Sequence, residues 1–194
     1  GELRGSGAET DLYGTTKTAA FDGAITRLTW RGASDGGPLM TIKGMGMTLA
    51  NMSLNGLSAT TQANLITNMA NRASVGIRVE DRASGSPPFG PGKVNLDVIQ
   101  MQAFDVALQL GQDNATGNQA DQITAQRLSV AYCGKAISVL NQQSVDNRFD
   151  AIHCFGVDTV LEYKGGGRFS IGTVSCWQAG AIDDTVVVSV PASS

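Results

Sequence analysis

The sequence predicts an all-β chain of stacked coils: a right-handed single-stranded parallel β-helix with three short strands per coil, about six coils and few short helices. Two observations carry this. Triplets patterned apolar, polar, apolar recur in a fixed order through the second half of the chain. The segments between them are turns or polar Gly-rich loops, mostly too short for the crossover helix that an alternating α/β fold requires.

The first triplet of each coil reads Val94-Asn95-Leu96, Ile123-Thr124-Ala125, Asn147-Arg148-Phe149 and Phe169-Ser170-Ile171. Its outer positions point inward from a strand, and only Asn147 departs from the apolar rule. The second triplet follows as Ile99-Gln100-Met101, Leu128-Ser129-Val130, Ile152-His153-Cys154 and Val174-Ser175-Cys176. The two residues in between shift the phase of alternation, which marks a sharp bend. After a brief turn comes the third triplet: Ile77-Arg78-Val79, Leu108-Gln109-Leu110, Ile137-Ser138-Val139 and Leu161-Glu162-Tyr163. From Ile77 to Leu108, Ile137 and Leu161 the repeat is 31, 29 and 24 residues, and the shortening falls in the loop after this triplet. Stacked at roughly 4.8 Å, columns such as Ile99, Leu128, Ile152 and Val174 make a continuous apolar core that no single coil closes alone. The fixed Leu and Asn frame of leucine-rich repeats is missing.

Earlier in the chain, residues 25–30, 39–42 and 47–54 read as strands of preceding coils. Residues 58–72 place Leu65, Ile66 and Met69 at helical spacing behind a Ser/Thr cap, and are either a short helix or a long loop. Residues 83–92, with Pro87-Pro88, and 112–121 read as excursions from the stack. Residues 1–194 form one domain on this reading. Neither end shows an amphipathic cap, which leaves open a fragment of a larger protein, ends covered by other domains, or a homo-oligomer joined at the open coil ends.

Charged residues are 16% of the chain, the net charge is -3, and Lys and Arg stand singly, so no basic stripe exists for nucleic acid. No apolar run is long enough for a membrane span, and the start Gly1-Glu2-Leu3-Arg4-Gly5-Ser6-Gly7 lacks the pattern of a secretion leader. Cys133, Cys154 and Cys176 show no CxxC spacing. Cys154 and Cys176 fall in one inward column and read as small apolar side chains, a disulfide being the lesser alternative. His153 is the only histidine, which excludes a His-based metal cluster; aligned with Gln100, Ser129 and Ser175, it reads as a solvated outer-face residue. No metal or cofactor is expected.

Two motifs add a resemblance. Leu3-Arg4-Gly5-Ser6-Gly7-Ala8-Glu9-Thr10 is similar to a segment found in the first coils of many pectate lyase-like proteins. Cys133-Gly134-Lys135-Ala136-Ile137-Ser138-Val139 resembles their Asn/Cys-Gly-x-x-Ile-x-Val turn into a strand. With the coil repeat, the chain resembles the pectate lyase superfamily of right-handed parallel β-helices, phage tail-spike-like members included. The resemblance implies that the third triplet floors a substrate groove and that polysaccharide is the partner. The family's calcium carboxylates find no residue-by-residue match, so no metal is implied.

On that groove strand the outward column Arg78, Gln109, Ser138 and Glu162 is the candidate ligand-binding ridge. Glu80 or Asp81 with Asp113 are the candidate catalytic carboxyls, since glycoside hydrolysis needs two of them. Elimination from a uronide needs a base and a group neutralising the sugar carboxylate, for which Arg78 stands nearby. A salt-bridged surface ridge is the weightier alternative for the same residues. Asp183-Asp184, Gly5-Ser6-Gly7 and Lys43-Gly44-Met45-Gly46-Met47 read as turns, and Trp30 or Trp177 could stack on a sugar. The leading expectation is a carbohydrate-facing domain that attaches to polysaccharide in an extracellular or virion-associated protein. A polysaccharide lyase or glycoside hydrolase, and a structural spacer without ligand, are the rivals.

Overall fold

Strand patterns of this kind can stack only if each strand finds its equivalent one repeat away. The computed structural model describes residues 2–4, 27–29, 37–43, 46–56, 72–80, 93–111, 120–140, 144, 146–165, 167–177 and 186–189. Among them lie β1 (Glu2–Arg4), β2 (Arg27–Thr29), β3 (Met40–Lys43), β4 (Thr48–Asn55), β5 (Ala73–Glu80), β6 (Val94–Gln102) and β7 (Phe104–Leu110). There follow β8 (Ile123–Ala125), β9 (Leu128–Ala131), β10 (Lys135–Val139), β11 (Asn147–Phe155), β12 (Thr159–Tyr163), β13 (Phe169–Trp177) and β14 (Val186–Ser189). The described residues contain no helix.

The strands form two parallel sheets. Sheet A holds β1, β2, β4, β6, β8, β9, β11 and β13, and sheet B holds β14, β12, β10, β7, β5 and β3 in that order. The chain alternates between them, so each circuit adds one level to both sheets, and sheet B records six circuits. The register is the one the repeat predicts: Ile77, Leu108, Ile137 and Leu161 lie opposite one another in successive strands. Their column continues to Met40 on one side and Val188 on the other.

The count of three separate strands per coil is corrected. In β4, β6, β11 and β13 the first and second triplets are one continuous strand, and they part between β8 and β9 and between β1 and β2. The bend takes two residues per level, with Asn51 and Val98 at equivalent positions and both at φ 54°. Hydrogen bonding persists through it, from Gln126 N–H to Leu96 C=O at 3.2 Å and from Ile99 N–H to Arg127 C=O at 3.0 Å. The sheet therefore turns a corner without breaking. Left-handed backbone recurs at Lys93, Gln122 and Asp146, each one residue before an inward position of sheet A. A non-Gly residue pays roughly 1 kcal/mol or more for that conformation, so its recurrence at one level after another marks a corner imposed by the fold.

The inward columns of both sheets merge into one apolar cluster running from Ile42 to Leu161. At the last level the same columns open: Val188, in the column of Ile137, is 52% exposed. Asn147, the residue that breaks the apolar pattern, points inward and is buried. Its Oδ1 accepts a hydrogen bond from Ile123 N–H at 2.9 Å, and its Nδ2 donates to Ala120 C=O at 3.1 Å. The amide thus satisfies backbone of the level before it, where β8 is short. At the Cys133-Gly134 turn, a side chain on Gly134 would meet Asp105 C=O at 2.7 Å and the Arg72 guanidinium at 3.3 Å. Arg72 uses the open space to reach Asp158 at 3.6 Å.

Residues 39–42 and 47–54 became β3 and β4, and part of 25–30 became β2. The helix or loop at 58–71 and the excursions at 83–92 and 112–119 lie outside the described residues, as do Trp30 and Asp183-Asp184.

Asn147→Ala leaves a buried N–H and a buried C=O without partners, which costs about 3 kcal/mol. Urea unfolding should show a lowered midpoint at unchanged slope.

Candidate functional site

The third-triplet ridge on sheet B forms in register, since Arg78, Gln109, Ser138 and Glu162 lie opposite one another in β5, β7, β10 and β12. Two of its four side chains are turned on each other. Ser138 Oγ donates to Glu162 Oε2 at 2.6 Å, and Lys135 Nζ donates to Glu162 Oε1 at 2.7 Å. Lys164 stands 3.9 Å from the same oxygen, and Gln109 Nε2 donates to Gly111 C=O at 3.0 Å. Only 6% of Gln109, 1% of Ser138 and 9% of Glu162 is exposed, while Arg78 is half-buried. Burial on its own raises the Glu162 carboxyl, but the hydrogen bonds from Lys135 and Ser138 and the charges of Lys135 and Lys164 outweigh it and hold the group below the usual carboxylate range. Of the candidate catalytic carboxyls, Glu80 is buried with Oε1 2.8 Å from Lys43 Nζ. Asp81 and Asp113 lie outside the described residues.

The column Ser53, Gln100, Ser129, His153 and Ser175 is also in register on sheet A. His153, read from the sequence as solvated, is only partly so, and the column is closed to solvent at its earlier levels. Ser53 and Ser129 are buried and Gln100 is 1% exposed, whereas His153 and Ser175 are half-buried.

An open polar surface is found on the other side of the bend in sheet A. A trough of about 550 Å³ crosses β4, β6, β8 and β11. One outward column supplies Thr48, Asn95, Thr124 and Arg148, opposite one another in successive strands. The bend residues Asp97, Gln126 and Asp150 supply the second column. Parallel stacking repeats these groups roughly every 4.8 Å. Thr124 Oγ1 donates to Asn95 Oδ1, and Asn95 Nδ2 donates to Thr48 Oγ1 at 3.5 Å, which orients a chain of dipoles along the trough. Arg148 Nε donates to Asp150 Oδ1 at 2.8 Å. Both of these side chains are exposed, leaving the rest of the guanidinium and a carboxylate edge toward solvent. Two carboxylates and one guanidinium give the trough a small negative surplus.

None of these trough residues was singled out from the sequence as a site, although all but Thr48 lie in or beside the first triplets. The signal was present: the middle positions Asn95, Thr124, Arg148 and Ser170 are all polar, as are the bend residues Asp97, Gln126 and Asp150. Among the described residues no group of His, Cys, Asp and Glu could hold a metal ion, and no helix is long and apolar enough to cross a membrane. Comparisons of the chain with protein-family models, with curated proteins and with solved structures find no match.

The depressed Glu162 carboxyl sets a pH dependence. Its contribution is fully present above its ordinary value of 4.5 and is lost as pH falls through the lower folded value. Glu162→Gln should cost about 2 kcal/mol near neutrality. That gap should narrow below pH 4.5 in unfolding curves taken across the acid range.

Proposed function

We propose that the six circuits form a single-stranded right-handed parallel β-helix of the pectate lyase-like kind. The trough on sheet A binds an uncharged polysaccharide, and the chain serves attachment in an extracellular or virion-associated protein. Right-handedness rests on the general preference of crossover connections between parallel strands.

The observation that carries the binding reading is the pair of polar columns at the bend, open to solvent and repeated level by level. The rise per level is close to the length of one sugar residue along a polysaccharide. A polymer lying along the stack therefore meets the same kind of hydrogen-bonding group at each unit. A small negative surplus disfavours uronides, which would need a basic groove, and so weighs against a lyase. The ridge supports the binding face from behind, with Ser138 and Lys135 of one coil bonded to Glu162 of the next.

One observation favours hydrolysis as a second reading. Asp97 and Asp150 stand two strand spacings apart, about 9.6 Å along the stack. That is near the upper end of the carboxyl separation that inverting glycoside hydrolases keep.

A glycan array read with the intact chain should retain a neutral polysaccharide. Asn95→Ala and Gln126→Ala should each weaken its binding about tenfold, while Gln109→Ala leaves it unchanged. Retention that ignores both trough variants, or no retained glycan at all, contradicts the reading and leaves a spacer. Release of reducing ends from the retained glycan, abolished by Asp97→Asn, would replace attachment by hydrolysis.

A further inference from the structure

We propose that Cys154 and Cys176 are a disulfide-forming pair, a covalent clip between β11 and β13, closed by a small-molecule disulfide as oxidant. The two residues lie directly opposite in the parallel ladder and belong to one inward column with Val130. Directly opposed residues of adjacent strands have Cα atoms roughly 4.8 Å apart, inside the range that a disulfide spans, and their side chains leave the sheet on the same face. The two thiols are close enough for each to perturb the other's ionisation.

Their unequal exposure orders the chemistry. Cys154 is 3% exposed, whereas Cys176 lies at the last described level of sheet A and is open to solvent. Burial raises both thiols, and the neighbouring Cys154 side chain works against that rise at Cys176. Cys176 is therefore the thiol that loses its proton and meets the oxidant first. Its thiolate attacks one sulfur of oxidised glutathione, forming a mixed disulfide and expelling one glutathione thiolate. The Cys154 sulfur, giving up its proton to solvent, then attacks the Cys176 sulfur and expels the second. The two protein thiols lose two electrons and two protons, and oxidised glutathione becomes two reduced molecules.

Cys133 is a poor third member. It is buried in the turn between the sheets, its sulfur accepts from Phe104 N–H at 3.4 Å, and its S–H donates to Ala131 C=O at 3.3 Å. Burial pushes its thiol up to about 12. A clip at Cys154 and Cys176 closes a loop of about two dozen residues and ties β13 to the level beneath it. Opening of that strand should become about a hundredfold rarer.

The folded chain is incubated with oxidised glutathione, its remaining thiols are alkylated, and its peptides are mapped by mass. The expected product links Cys154 to Cys176 within one chain and carries alkyl only on Cys133. Cys133→Ser should still form the link, and the exposed-site variant Cys176→Ser should form none. In the linked chain, amide exchange across β13 should slow by about two orders of magnitude. Glutathione left on Cys176, a bond that recruits Cys133, a link between two chains, or three alkylated thiols would each overturn the proposal.

Discussion

Parallel hydrogen bonding between each strand and its equivalent one circuit away is the constraint on which the rest of this chain depends. No single circuit has an inside that it closes alone. Because the register is direct, Leu108 meets Ile137 and Ile137 meets Leu161, and the same rule places Ser138 on Glu162 and Asn95 on Thr124. Core and surface are thus products of one geometry. Apolar positions fuse into a single cluster, and polar positions become ladders whose chemistry depends on what the next level offers.

Those ladders take two forms. On sheet B the levels complement each other: a hydroxyl and an ammonium group converge on the Glu162 carboxylate and occupy both of its oxygens. On sheet A, beside the bend, Thr124, Asn95 and Thr48 pass hydrogen bonds along one direction. The side chains of Asp97 and Gln126 form no hydrogen bond or ion pair with other described residues. A self-satisfied ladder holds coils together, and a partly satisfied one is available to a ligand. The binding proposal follows the second.

The sequence made the stacking legible because alternation and repeat length reported the same object. Ile77, Leu108, Ile137 and Leu161 could be aligned without any structure, and the bend announced itself as a phase shift between Leu96 and Ile99. Continuity of the sheet through that bend was not legible, since hydrogen-bond connectivity leaves no mark on apolar pattern. Burial of Gln100 and Ser129 was hidden for a related reason: alternation says which face a side chain joins, not what covers that face. Asn147 looked like a fault in the repeat because its partners are backbone atoms of Ala120 and Ile123, which no side-chain pattern records. The trough was not legible because the family resemblance points to the third triplet, although the first triplets carry equally regular polar positions.

The direct test of the stacking is a nuclear Overhauser experiment on chain with labelled Leu and Ile methyls. The account predicts strong contacts from Leu108 to Ile137 and from Ile137 to Leu161. It predicts none of comparable strength from Leu108 to Leu161, which stand two levels apart at roughly 9.6 Å. Strong contact between Leu108 and Leu161, or Ile137 touching neither, would contradict it.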